Sequence, residues 1–213
     1  RWQQLGQELP QPRAILSISA HWETHGTSVT SMEKPRTIHD CGGFPDELYA
    51  IKYPAPGSPQ LASRIRELVH IQPVAFDDSW GVDHGTWSVL INMYPSARIP
   101  VIQLSLDHFK EPAFHFALAA ELAPLRDEGI LILGSGNIVH NLGLASHAET
   151  GGFAWAEQFD KHVQEAVHKN RFDSLIHYEN LGKSAQYSLP TNEHYLPFLY
   201  ILALIQDGEK IDF

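Results

Sequence analysis

Thirteen histidines in a chain of 213 residues carry most of this sequence's chemical potential. A neutral imidazole ligates zinc or non-haem iron, and near neutral pH it accepts and returns protons. The informative histidines stand where predicted strands end. Ala14-Ile15-Leu16-Ser17-Ile18-Ser19-Ala20 is an apolar run with β-branched residues that reads as a buried strand, and it delivers His21 at its carboxyl end. Gly129 to Leu133 reads as another strand, running into Gly134-Ser135-Gly136-Asn137 and then His140. His194 falls in the first turn of a predicted helix, with Thr191 as a candidate cap. His84, in Gly81-Val82-Asp83-His84-Gly85-Thr86-Trp87, precedes a helix. It either presents its ring to the same crevice or simply packs while Asp83 or Thr86 caps the helix. His39 shares a loop with Gly42, Gly43 and Pro45, where backbone can approach a ligand closely, and ordinary turn chemistry is an equal reading.

Taken singly, each strand-end histidine is as readily a hydrogen-bonded loop residue as a ligand, because no short metal motif such as His-Glu-x-x-His is present. Convergence is what would carry weight. His25, His70, His108, His115, His147, His162, His168 and His177 read as residues of polar helix faces and loops. Trp22, Trp80 and Trp87 lie near the candidate segments, where they would wall an aromatic pocket or, more commonly for tryptophan, fill the core. Competing motifs fail on spacing. Gly134-Ser135-Gly136-Asn137 lacks the third glycine of a dinucleotide loop, whose place Val139 takes, and no Gly-x-Ser-x-Gly elbow supplies a serine nucleophile. A thiol nucleophile at Cys41 rests only on its closeness to His39.

The elements that must position these residues alternate in an α/β rhythm. Thr27 to Met32, Pro73 to Phe76 and Ile99 to Leu106 read as further strands, and Thr86 to Tyr94 and Pro112 to Arg126 as helices. Ser58-Pro59 opens a helix as cap and first-turn proline, with Leu61, Ile65, Leu68 and Val69 on one face. Phe159, Val163 and Val167 mark a later helix, and Tyr195, Leu199, Leu202 and Ala203 another. The expectation is one catalytic domain over residues 1–213, a central mostly parallel or mixed sheet flanked by helices, with its crevice at the carboxyl ends of the strands. Arg1 to Gly6 reads as the tail of a helix and Lys210 to Phe213 as the entry to a strand, so a short N-terminal strand-turn segment and a C-terminal strand are expected outside the chain.

Bulk properties narrow the partners. A formal net charge of -10 disfavours nucleic-acid phosphates and anionic lipid. One cysteine rules out an internal disulfide and a thiolate zinc cluster, and it suits a reducing cytoplasm. No apolar run approaches the roughly 18 residues of a membrane span. Small-molecule ligands are expected, with no nucleic acid and no membrane; oligomeric state, a homo-oligomer included, is not encoded legibly.

Together, Ser19-Ala20-His21-Trp22, Thr37 to Pro45, Tyr53-Pro54-Ala55-Pro56-Gly57, Asp83-His84-Gly85-Thr86-Trp87, Gly134 to Asn141 and Glu193-His194-Tyr195-Leu196-Pro197 resemble, in order and across nearly the whole chain, the DOPA-type extradiol aromatic ring-opening dioxygenases. These form the class III family related to the catalytic subunit of protocatechuate 4,5-dioxygenase. The resemblance implies a metal-dependent enzyme that inserts both atoms of O2 into a catechol and opens the ring to a semialdehyde. It implies Fe(II) as the working metal, with Zn(II) able to occupy the same site, and a small aromatic diol, DOPA-like or protocatechuate-like, as substrate. By the same resemblance His21 and His194 match metal ligands. His140 matches the acid-base histidine, which also coordinates in some zinc-loaded members, and His84 matches a histidine that either supports the ligands from behind or faces the substrate. The sequence departs from the family in lacking a His-Gly-Ser-Pro turn, whose histidine is a ligand; with His21 and His194 alone the metal would be held weakly. Two other classes stand beside this reading. A non-catalytic metal-binding module on the same fold would need no acid-base histidine, and a zinc hydrolase would use metal-bound water; oxygen uptake with a catechol separates both from a dioxygenase.

Overall fold

The computed structural model describes residues 1–40, 42–146 and 151–212; Cys41 and His147 lie outside the described residues. Its strands in chain order are β1 (Ala14–Thr24), β2 (Thr27–Thr30), β3 (Arg36–Thr37), β4 (Val74–Asp77), β5 (Gly81–Val82), β6 (Val101–Asp107) and β7 (Ile130–Ser135). The helices are α1 (Trp2–Glu8), α2 (Asp46–Tyr49), α3 (Pro59–Leu68), α4 (His84–Met93) and α5 (Pro112–Glu121), then α6 (Pro124–Asp127), α7 (Ala154–His168), α8 (Phe172–Ile176), α9 (Lys183–Ser188) and α10 (Leu196–Ala203). Among the described residues no helix is long and apolar enough to cross a membrane.

Five strands form a mixed sheet in the order β4-β2-β6-β1-β7, parallel except where β2 meets β6, and β3 pairs with β5 in a small second sheet. The centre of the large sheet is covered on both faces, which is why the first seven residues of β1 and all of β6 are buried, including Ser17, Ser19, Gln103, Ser105 and Asp107 among the aliphatic side chains. Successive side chains alternate between faces. Leu16, Ile18, Ile102 and Leu104 pack with Leu118 of α5, Phe159 of α7 and Leu199 of α10. Ile15 and Val101 pack on the other face with Trp87 and Leu90 of α4. Burying an aliphatic side chain of this size stabilises by about 1.5–3 kcal/mol, so both layers are clamped to the sheet largely by such contacts.

Several expectations needed correction. The first strand does not stop at Ala20: it continues to Thr24, with Trp22 buried against the stacked ring of Trp80, so His21 stands within the strand. A register shift between Ile18 and Glu23 bends β1 where it carries His21. The helix expected over 112–126 is broken at Pro124, which lacks the N–H a continuous helix needs and opens α6 instead. Lys210 to Asp212 forms no strand. His115, expected on a polar face, is fully buried, its Nδ1 3.1 Å from Tyr200 Oη. The cap at Ser58 is present, its side chain accepting the Leu61 N–H at 3.2 Å.

Candidate metal and active site

Strand β7 ends opposite Ser19 of the parallel β1, two residues before His21, and α4 begins beside that point. Asp83 caps that helix by accepting the Thr86 N–H at 3.0 Å. It is fully buried and is held in turn by Gln103, whose Oε1 accepts the Asp83 N–H and whose Nε2 donates to Asp83 Oδ2, both at 2.8 Å. The first turn of α4 lies directly on the strands. Thr86 Oγ1 is 2.8 Å from Ser17 Oγ, and Ser135 Oγ donates to the Gly85 carbonyl at 2.7 Å. A Cβ at position 85 would come within 2.9 Å of Ser19 Oγ and 3.3 Å of His21 Cδ2, so only glycine permits this approach without movement. The consequence is an edge-on pair of imidazoles, His21 and His84, with ring centroids 4.1 Å apart.

The other half comes from the segments after β7 and before α10. The Asn137 N–H donates to the His194 carbonyl at 2.8 Å, and a Cβ on Gly136 would meet that same oxygen at 2.1 Å. His194 therefore sits in the turn leading to α10 and not in the helix, and Thr191 donates to Glu193 Oε1 at 3.0 Å instead of capping. His140 is pinned by its backbone N–H on the Ser188 carbonyl at 2.8 Å, and its ring stacks on that of His194. The two halves meet at His21 and His194, whose ring centroids are 5.2 Å apart.

The structure thus brings together His21, His84, His140 and His194, the four residues singled out from sequence. It leaves His39 outside, with Nε2 2.9 Å from the Ile51 carbonyl and the ring near Trp87 and Tyr49. Trp22 and Trp87 are core residues; Trp87 also donates its Nε1–H to the Ile38 carbonyl at 2.8 Å. Two carboxylates that sequence reading did not single out complete the set, Asp40 beside His21 and His84, and Glu193 beside His140 and His194. Asp40 lies in the glycine-rich loop next to His39, and that proximity was the only signal available.

Ligand atoms of His21, Asp40 and His84 lie within 4.8 Å of one another, as do those of His140, Glu193 and His194. The chemistry of this donor set fits a divalent cation. His194 is held at about 4, below the ordinary histidine value, by burial first and then by the charges of His140 and His21, so its lone pair is free at neutral pH. Its Nδ1 is 3.2 Å from Asn137 Oδ1, a contact in which Nδ1 carries the proton and Nε2 is left to ligate. His21 is raised, chiefly by Asp40 against an opposing effect of burial. A broader groove, lined by Pro12, Ile130, Ile132, Ile201 and Leu204 along the outer edge of β7, has no histidine on its walls and none of this chemistry.

Residues 2–212 match the family described as the catalytic LigB subunit of aromatic ring-opening dioxygenase. A 4,5-DOPA dioxygenase extradiol of Escherichia coli K12 is 48% identical over 218 residues, covering 99% of this chain and 79% of that protein. One from Beta vulgaris is 38% identical over 205 residues, covering 95% and 76%. The crystal structure of an uncharacterized protein from Escherichia coli K12 superposes with a TM-score of 0.84 at 44% identity, over 99% of this chain and 82% of that one.

Proposed function

Because the chain belongs to the family of the catalytic LigB subunit of aromatic ring-opening dioxygenases, we propose that the crevice formed by His21, His84, His140 and His194 is where it opens a catechol ring. Family and relatives make it an extradiol ring-cleaving dioxygenase acting on an aromatic substrate with O2, and the family implies a metal cofactor. Our reading of the site is finer. His21 and His194 hold the ion, His140 moves protons and joins the coordination when zinc is loaded, and His84 faces the substrate. Fe(II) is the working metal, since it supplies open coordination positions and the redox capacity to activate dioxygen. A DOPA-like catechol is the substrate, as the names of the most similar relatives suggest. A single cysteine, which can form no internal disulfide, supports a reducing cytoplasm as its location.

The observation that carries this reading is the convergence of four imidazoles from β1, α4 and the segments following β7 and preceding α10. A catechol needs one proton removed as it binds and one returned as the ring opens. An imidazole can do both, and His140, stacked on His194, stands beside the proposed metal position, from which it would serve the reacting oxygens. The test is to reconstitute the protein with ferrous iron under anaerobic conditions, add DOPA or a simpler catechol, and admit oxygen. Equimolar oxygen uptake with a yellow ring-opened product is expected. Stoichiometric iron with no oxygen uptake across a panel of catechols overturns the proposal.

A further inference from the structure

Asp40 divides its carboxylate between two histidines. Oδ2 lies 2.8 Å from His21 Nδ1 and Oδ1 lies 3.0 Å from His84 Nδ1, while Oδ1 also accepts the His84 backbone N–H at 2.9 Å. The side chain is only 14% exposed. His84 Nδ1 is buried and has no partner in full hydrogen-bond geometry among the described residues, so Asp40 is the acceptor that a small turn of the ring would bring into line. An imidazole nitrogen does not rest this close to an ionised carboxylate with lone pair against lone pair. Each Nδ1 therefore carries a proton, and in the neutral form of each ring the lone pair lies on Nε2.

The carboxylate is itself held in place. The Ile38 N–H donates to the Val82 carbonyl at 2.8 Å, Trp87 donates to the Ile38 carbonyl, and β3 pairs with β5 immediately before α4. The loop bearing Asp40 is thus fixed to the helix that bears His84, and Gly85 lets that helix close on His21.

We infer that Asp40 is a positioning residue shared by the two histidines: it fixes both as Nδ1–H tautomers, so that His21 offers Nε2 to the metal and His84 offers Nε2 as hydrogen-bond acceptor toward the bound catechol. This rests on His21 being a metal ligand, as proposed above. One anion serves both rings because they stand 4.1 Å apart, too close for two separate carboxylates to approach the same edge without repelling each other.

Nitrogen chemical shifts of histidine-labelled, zinc-loaded protein test this in the wild type. Protonated Nδ1 is expected at both His21 and His84, with the metal shift of His21 on Nε2. An Nε2–H tautomer at either ring, or metal bound at Nδ1, overturns the inference. In Asp40→Asn, zinc affinity measured by chelator competition should fall 10- to 100-fold. With metal saturating, the double variant Asp40→Asn, His84→Gln should turn over no more than about twofold slower than His84→Gln alone, since Asp40 acts on turnover through that ring. Unchanged zinc affinity, or losses that multiply, overturn it. The two readings fail separately: absent oxygen uptake leaves the tautomer and affinity results standing, whereas His21→Gln retaining stoichiometric metal removes the site on which both depend.

Discussion

The imidazoles of His140 and His194 lie face to face, ring centroids 3.5 Å apart and planes 14° from parallel. Two stacked rings at this distance do not both carry charge, and burial together with the neighbouring imidazoles holds His194 down at about 4. Glu193 Oε1, 4.0 Å from His140 Nδ1, adds an anion on that side. His140→Ala should therefore keep its metal and lose two orders of magnitude or more in turnover, as removal of an acid-base group commonly does. Metal stoichiometry and kcat on one preparation decide it. Metal lost along with activity makes His140 a ligand, and unchanged turnover removes it from the mechanism.

Ligand roles make the opposite prediction. His21→Ala and His194→Ala should each lose iron by at least tenfold in affinity, measured by chelator competition, while their far-ultraviolet circular dichroism stays that of the parent. Retained stoichiometric iron in either variant counts against that residue as a ligand.

The pH dependence of stability follows from two histidines held neutral. His194 and His115 both sit at about 4, burial being the first cause in each, against an unfolded value of 6.5. A lowered histidine contributes stability that is fully present above 6.5 and is lost as pH falls through the window down to about 4. His21 and the exposed His108 are raised, and their smaller contributions run the other way, present below 6.5 and lost as pH rises through their folded values. The metal-free protein should thus be less stable to urea at pH 5 than at pH 7, and His115→Gln should flatten the difference. Equal or greater stability at pH 5 refutes this balance.

The α/β rhythm was legible because β1 and β6 are covered on both faces, so they are dense in aliphatic residues, interrupted by hydrogen-bonded polar ones such as Ser17 and Gln103. The cap at Ser58 was legible for a local reason, since a cap and the N–H it accepts are three residues apart. His115 was misread because helical periodicity places it, but only the tertiary contact with Tyr200 accounts for a buried imidazole there. The extension of β1 to Thr24 depends on Trp80 arriving from a distant segment to cover Trp22. Asp40 lies 44 residues from the backbone N–H it accepts, and no spacing rule reaches that far. The four site histidines were found one at a time from strand ends and from likeness to a family; that they form one cluster is a property of the sheet order, which places β1 next to β7.

Gly85 gives a sharp test of that cluster because its defect would be purely one of placement. A methyl group there would meet Ser19 Oγ at 2.9 Å, Ser135 Oγ at 3.1 Å and His21 Cδ2 at 3.3 Å, and the first turn of α4 would have to withdraw from the strands. Overpacking of this kind costs about 1–3 kcal/mol, which a well-packed domain tolerates. No metal ligand is removed, so Gly85→Ala should fold and bind metal. Its first turn carries His84, however, and a displacement of about 1 Å at such a group costs on the order of 100-fold in rate. Gly143→Ala is the control, since a methyl there would meet only Asn141 Oδ1 at an ordinary 3.5 Å. Turnover with iron saturating should fall steeply in the first variant and little in the second. If Gly85→Ala turns over like the parent, the close approach of α4 to β1 is a matter of packing, and His84 owes nothing to it.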